Sequence, residues 1–214
     1  MTGILFDLDG TLLNTLEDLT DATNYVLRKF AFSERSVEQV RRAIGNGAAN
    51  QLRKCAPEDT AQETVEQMLA VYKPYYTAHC RIKTRPYGGI PEALSVLCER
   101  YPIAIVSNKP DHAVKKLCEE YFPGIYALGE SADCPRKPAP DMVHKAMQAI
   151  GADRCIYVGD SEVDVLTAHN AGQPVLSVLW GFRDREDMEA VGAVHFCETP
   201  DQMVEKIEEI IHGK

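Results

Sequence analysis

The chain has no C-x-x-C and no even set of cysteines to pair: its seven lie singly at 55, 80, 98, 118, 134, 155 and 197. That excludes a disulfide framework and the usual thiolate zinc spacing, and predicts reduced, structural thiols in a cytoplasmic protein. No apolar run approaches the roughly 18 residues that cross a bilayer. The first residues lack a basic segment ahead of an apolar one, so no signal peptide is expected. Positive charge is also scarce, with 23 Lys and Arg against 32 Asp and Glu for a net charge of -9. A nucleic-acid binder needs the opposite balance, so an anionic ligand must be held by a local site. The six histidines show no metal spacing, and there are no repeats, low-complexity tracts or charged tails. What remains, 214 residues at 45% hydrophobic and 26% charged, is an ordinary globular composition. It suffices for one core plus a small accessory domain.

Short apolar runs organise the chain. Ile4, Leu5 and Phe6 show no helical spacing and read as a buried strand. From 15 to 81 only helices are expected. They fall at 16–30, at 36–44 behind Ser36 as N-cap, at 48–55 after the Gly45-Asn46-Gly47 break, and at 60–77, where Pro74 is a kink or stop. Beyond Pro86-Tyr87-Gly88-Gly89 the pattern alternates. Helices are expected at 90–100, 110–121, 139–150, 162–171, 184–191 and 200–212, with strands at 103–106, 125–128, 155–158, 175–179 and 193–196. This alternation predicts an α/β fold, a doubly wound parallel sheet covered on both faces. The first strand has no other partner and must join that sheet. Residues 1–14 and 82–214 are therefore expected to form a Rossmann-like core, and 15–81 an inserted helical cap.

Ligands of such sheets gather at the carboxyl ends of the strands. After the first strand come Asp7 and Asp9, on one face if the chain stays extended, then Gly10, which permits a sharp turn. Two acids there are costly unless a cation or a proton transfer needs them. The plainer alternative is a strand followed by an acidic turn. After 103–106 come Ser107, Asn108 and Lys109, a hydroxyl, an amide and a cation that could equally cap the next helix. Arg136-Lys137-Pro138-Ala139-Pro140 is a stiff loop whose lysine, alone, would pass for a solvated one. After 155–158, Gly159-Asp160-Ser161-Glu162-Val163-Asp164 sets two carboxylates at a helix start, which could be a cap and a surface acid. Trp180-Gly181-Phe182-Arg183 follows 175–179. Their coincidence on one sheet edge selects a function. Asp7, Asp9, Asp160 and Asp164 together demand a hard cation, and all-oxygen ligands point to Mg2+. Ser107, Asn108, Lys137 and strand-end N–H groups such as that of Leu8 form an anion cradle opposite it. Metal, cradle and two unequal carboxylates are the equipment for phosphoryl transfer.

In order, residues 6–11, 107–109, 136–140 and 159–164 resemble the four signatures of the haloacid dehalogenase superfamily of phosphohydrolases. A helical insert straight after the first signature is that family's C1 cap. Residues 44–47, 83–90 and 180–186 extend the similarity to bacterial phosphoglycolate phosphatases. Asn14-Thr15 departs from it, since many relatives carry Asp-Ser there. The resemblance implies a Mg2+-dependent phosphatase acting on a small phosphorylated metabolite, 2-phosphoglycolate first. Asp7 would be the nucleophile and Asp9 the general acid and base. Ser107 and Lys137 would hold the phosphoryl group. Asp7, the Asp9 carbonyl, Asp160 and Asp164 would hold the metal. The cap loop at Gly47 would face the substrate, while Arg41, Arg42, Lys54 and Arg183 are either solvated or substrate-facing. Alternatives within the family are a pyrophosphatase, a nucleotide or sugar phosphatase, and a phosphosugar mutase. Outside it stands a phospholigand-binding protein without turnover. No nucleic-acid or membrane partner is expected, and the chain would be a monomer or homodimer.

Overall fold

In the computed structural model, which describes residues 1–213, β1 (Thr2–Phe6) lies at the centre of a six-stranded sheet. The chain then runs through β2 (Leu13–Asn14), α1 (Leu16–Lys29), α2 (Val37–Ala43), α3 (Gly47–Cys55), α4 (Gln62–His79) and β3 (Arg85–Pro86). There follow α5 (Ile90–Cys98), β4 (Ile103–Pro110), α6 (Asp111–Tyr121), β5 (Tyr126–Glu130), α7 (Asp141–Ala149) and β6 (Arg154–Gly159). The chain ends with α8 (Glu162–Asn170), β7 (Val175–Val178), α9 (Arg185–Glu189), β8 (Phe196–Cys197) and α10 (Pro200–His212). The sheet order is β5-β4-β1-β6-β7-β8, parallel throughout.

Strand periodicity divides the core in two. Ile4, Phe6, Ile105 and Val158 face one side, with residues of α5, α6 and α10. Leu5, Val106, Cys155 and Tyr157 face the other, with residues of α7, α8 and α9. The sheet is thus covered on both faces. Order reverses at β1, which pairs with β4 on one side and β6 on the other, and this places a ligand crevice at its carboxyl end.

Helices α1 to α4 bury Leu19, Leu52, Met68 and Tyr72 in the same apolar cluster that covers the first sheet face, without a break between them. A capping box opens α2, in which the Ser36 hydroxyl accepts from Gln39 N–H and the Gln39 amide oxygen from Ser36 N–H. Where the chain leaves and re-enters the core, β2 and β3 pair antiparallel. The buried Asp18 carboxylate fastens that neck, accepting from the N–H groups of Lys83 and Thr84 (3.0 and 2.9 Å) and the Thr84 hydroxyl (2.8 Å). The structure departs from expectation at a few boundaries. β4 runs on past 106 because Pro110 pairs with Glu130 of β5. α4 continues through Pro74 to His79, and β8 begins at Phe196, not 193. Among the described residues no helix is long and apolar enough to cross a membrane, and all seven cysteines are free.

Candidate active site

Asp7 leaves the end of β1 buried, its N–H bonded to the Val158 carbonyl (2.8 Å). The chain then folds back sharply, with Leu12 and Leu13 N–H on the Leu8 carbonyl and Gly10 N–H on that of Leu13. Gly10 sits at φ +89°, and a Cβ there would stand 2.2 Å from Asp160 Oδ2. A Cβ on Gly181 would lie equally close to the Asp160 Cβ. Both glycines are needed because the turn and the loop after β7 close around that carboxylate. Asp160 is itself fixed by the Thr11 hydroxyl (3.0 Å) and Phe182 N–H (2.7 Å). Trp180 Nε1 in turn bonds the Thr11 carbonyl (3.0 Å).

Lys137 is buried, with its Nζ 2.6 Å from Asp7 Oδ1, 2.7 Å from Asp164 Oδ1 and 3.1 Å from the Tyr157 hydroxyl. Its loop is held by Asn108, whose side-chain oxygen accepts from Lys137 N–H (2.7 Å) while its amide donates to the Lys137 carbonyl (3.0 Å) and to Gly45 O of the cap (3.2 Å). The Asn108 side chain thus commits its amide protons to carbonyls of the Lys137 loop and of the cap. Asp164 directs Oδ2 at the Ser161 hydroxyl (2.6 Å) and N–H (3.2 Å), closing the N-terminus of α8 as it grips Lys137.

Asp7, Asp160 and Asp164 each bring an oxygen within 4.8 Å of the others. Three buried carboxylates against one ammonium leave two negative charges. Burial, reinforced by the neighbouring acids against Lys137, pushes the Asp7 carboxyl well above its ordinary value. Burial and the Asp164 charge push Asp160 up to about 7. Burial alone would lower the Lys137 ammonium, but Asp164 and Asp7 outweigh it and hold it well above the lysine range. A hard divalent cation fits this donor set, because it supplies the missing charge to oxygens that protein donors leave partly free.

The Asp9 carboxylate lies outside that cluster. The Thr15 hydroxyl donates to its Oδ1 (2.6 Å) and Lys109 Nζ pairs with its Oδ2 (2.9 Å). At the departure from the family pattern, Thr15 thus keeps a hydroxyl on Asp9, and Asn14 accepts from Leu16 N–H. Lys109 also donates to the Tyr76 hydroxyl of α4 (2.6 Å).

Asp7, Asp9, Ser107, Lys137 and Asp160 line a cavity of about 60 Å³, roofed by Gly45, Gly47, Tyr72 and Tyr76 of the helical insert. Ser107 is buried there, and Gly47 opens α3 with φ +79° under the Arg136 guanidinium. The Leu8 side chain is in the apolar core, so only its N–H is available to a ligand. Two arginines cross the seam between insert and core. Arg183 donates to the Arg41 carbonyl (3.0 Å), the Ile44 carbonyl and Glu162 (2.9 Å). Arg41 answers by donating to the Phe182 carbonyl and pairing with Glu38. Arg42 also pairs with Glu38 and is exposed. Sequence reasoning missed Tyr157, Tyr76 and the partners of Lys109. A tyrosine inside a buried strand was the usable signal, since its hydroxyl must find a partner.

Residues 4–178 match the sequence profile of the haloacid dehalogenase-like hydrolases. The chain belongs to that family. Among its relatives within the haloacid dehalogenase-like hydrolases, a phosphoglycolate phosphatase of Aquifex aeolicus is 30% identical over 190 residues, covering 85% of this chain and 86% of its own. The pyrophosphatase PpaX of Halalkalibacterium halodurans is 31% identical, covering 86% of each. A crystal structure from Lactobacillus delbrueckii subsp. bulgaricus, of a candidate phosphoglycolate phosphatase, superposes with a TM-score of 0.90 at 36% identity, covering 96% of this chain and 97% of that one.

Proposed function

We propose that this haloacid dehalogenase-like hydrolase is a Mg2+-dependent phosphatase of small phosphomonoesters, 2-phosphoglycolate first among them, working through an aspartyl-phosphate. That the chain is a phosphoric monoester hydrolase follows from its family and from relatives matched along most of their length. The observation that carries the finer reading is the meeting of Asp7, Lys137 and Asp160 at the end of β1.

Asp7 attacks phosphorus in line, and the ester oxygen departs with a proton from Asp9. Asp9 then takes a proton from water, which attacks the aspartyl-phosphate and restores Asp7. Lys137 and the Ser107 hydroxyl hold equatorial phosphoryl oxygens where charge is densest in transfer. Ser107 is free to do so, since its oxygen accepts from Lys109 N–H (3.2 Å) and keeps its own proton to donate. Asp7, Asp160 and the Asp9 carbonyl would hold Mg2+, with Asp164 supporting the set while gripping Lys137; when bound, the ion cancels repulsion between carboxylate and phosphate dianion. The helical insert, taken as 15–81, acts as a lid that excludes bulk water. Beneath it the cavity of about 60 Å³ favours a short leaving group. The seven free cysteines support a reducing compartment, in keeping with a cytoplasmic enzyme.

Phosphoglycolate phosphatases and a pyrophosphatase match the chain at nearly equal identity, so the cap's fit to the leaving group must decide the substrate. The test is a panel with Mg2+, comprising 2-phosphoglycolate, pyrophosphate, nucleoside monophosphates and sugar phosphates, ranked by kcat/KM. The expected order has 2-phosphoglycolate at its head. Pyrophosphate at its head would overturn the substrate, and undiminished turnover by Asp7→Asn would overturn the nucleophile.

A further inference from the structure

We propose that Lys109 and Tyr76 are positioning residues for Asp9, so that the cap completes the acid–base geometry only when it closes on the core. The inference rests on the acid–base role given to Asp9 above.

Asp9 leads into a tight turn, and a carboxylate there has free rotation unless both oxygens are engaged. Thr15 holds one oxygen and Lys109 the other. Lys109 needs holding in its turn. Its side chain is 3% exposed, and a buried ammonium on a flexible four-carbon stem keeps one position only if its partners fix it. Besides Asp9 it has the Tyr76 hydroxyl at 2.6 Å and the Tyr76 ring face, with Nζ 4.4 Å from the centroid. Both of these belong to α4, in the helical insert. Without α4 the ammonium is hydrated, its stem turns freely, and Asp9 keeps only Thr15. Lys137 presents the same motif with the opposite ownership: its three partners Asp7, Asp164 and Tyr157 all lie in the core. The nucleophile is thus set whether the cap is open or closed, whereas the acid is set only under a closed cap.

The experiment compares kcat/KM in Mg2+ buffer for 2-phosphoglycolate, ethyl phosphate and p-nitrophenyl phosphate. Variants are Tyr76→Phe, which keeps the ring and removes the hydroxyl, Lys109→Met, which keeps the stem and removes the charge, and Asp9→Asn as reference. An alkoxide leaves only with a proton, whereas p-nitrophenolate leaves without one. A displaced acid therefore penalises the two alkyl esters over the aryl ester, by about tenfold in Tyr76→Phe and more in Lys109→Met. Equal losses on all three esters would overturn the proposal, since a merely structural defect does not discriminate leaving groups. A loss confined to 2-phosphoglycolate would also overturn it, because Lys109 would then be reading the substrate carboxylate. If Asp9→Asn itself treats alkyl and aryl esters alike, the acid–base role fails instead, and the two failures are told apart.

Discussion

Lys137 and Lys109 each pair with one aspartate of the first signature and one tyrosine hydroxyl, but they sit in regions built differently. On the core side, partners from the end of β1, β6, α8 and the 136–140 loop converge as the sheet forms, and Lys137, Tyr157 and Asp164 each hold two or three others. On the cap side, a handful of contacts crosses one seam: Tyr76 to Lys109, Asn108 to the Gly45 carbonyl, and the reciprocal pair Arg41 and Arg183. The core arrangement persists as long as the fold does. These polar contacts, which water can replace, lie beside an apolar cluster continuous from insert to sheet, so the seam can loosen at the site while the insert stays attached.

Breaking the core side should cost most. Lys137→Met removes the only ammonium among three acids, so turnover should fall on the order of 10²–10³-fold. Metal-free stability should fall by about 3–5 kcal/mol, as for any buried ion pair that loses one partner. Steady-state kinetics and urea unfolding read the two effects, and a variant as stable as the parent would show the acids are not in electrostatic debt.

Next in size is a pH effect confined to the same cluster. Asp160 is raised from 3.8 to about 7 by burial, and Asp7 is raised in the same sense. Between about pH 4 and 7 the metal-free folded state therefore holds more protons than the unfolded chain. The stability contributed below pH 4 is lost as pH rises through that window. A divalent ion displaces those protons, so the gain in Tm on adding MgCl2 should grow from pH 5 to pH 8. A gain independent of pH would show that the ion binds elsewhere.

The seam should yield the smallest effect. Arg183→Met removes donors to the Arg41 and Ile44 carbonyls and to Glu162 without touching Asp7, Asp160 or Asp164. KM should rise by about threefold with kcat nearly preserved, and limited proteolysis of the insert should quicken. A variant that instead loses kcat with KM unchanged would place Arg183 in the chemistry.

The same contrast explains what could be read from the chain. Strand ends were legible because short apolar runs such as 4–6 and 155–158 stop at chemistry-bearing residues, and a parallel sheet must gather those ends together. The helical insert was legible from its periodicity. Pairings across the seam were not, because the meeting of Tyr76 with Lys109 depends on how α4 rotates and lies over the core, and no spacing encodes that. Asn108 was half legible for a related reason: an amide suits a phosphate and a loop backbone equally, and its bonds to the Lys137 loop depend on that loop's path. The β2–β3 pair is two residues on each side, too short to leave a pattern.

The most direct measurement is a rapid acid quench of the Mg2+-loaded enzyme with phosphorus-labelled 2-phosphoglycolate, followed by peptide mapping. Acid-stable label on the peptide containing Asp7, formed and lost at rates matching turnover and absent in Asp7→Asn, is the expected result. Phosphate released with no label on that peptide, or label that survives in Asp7→Asn, would contradict it.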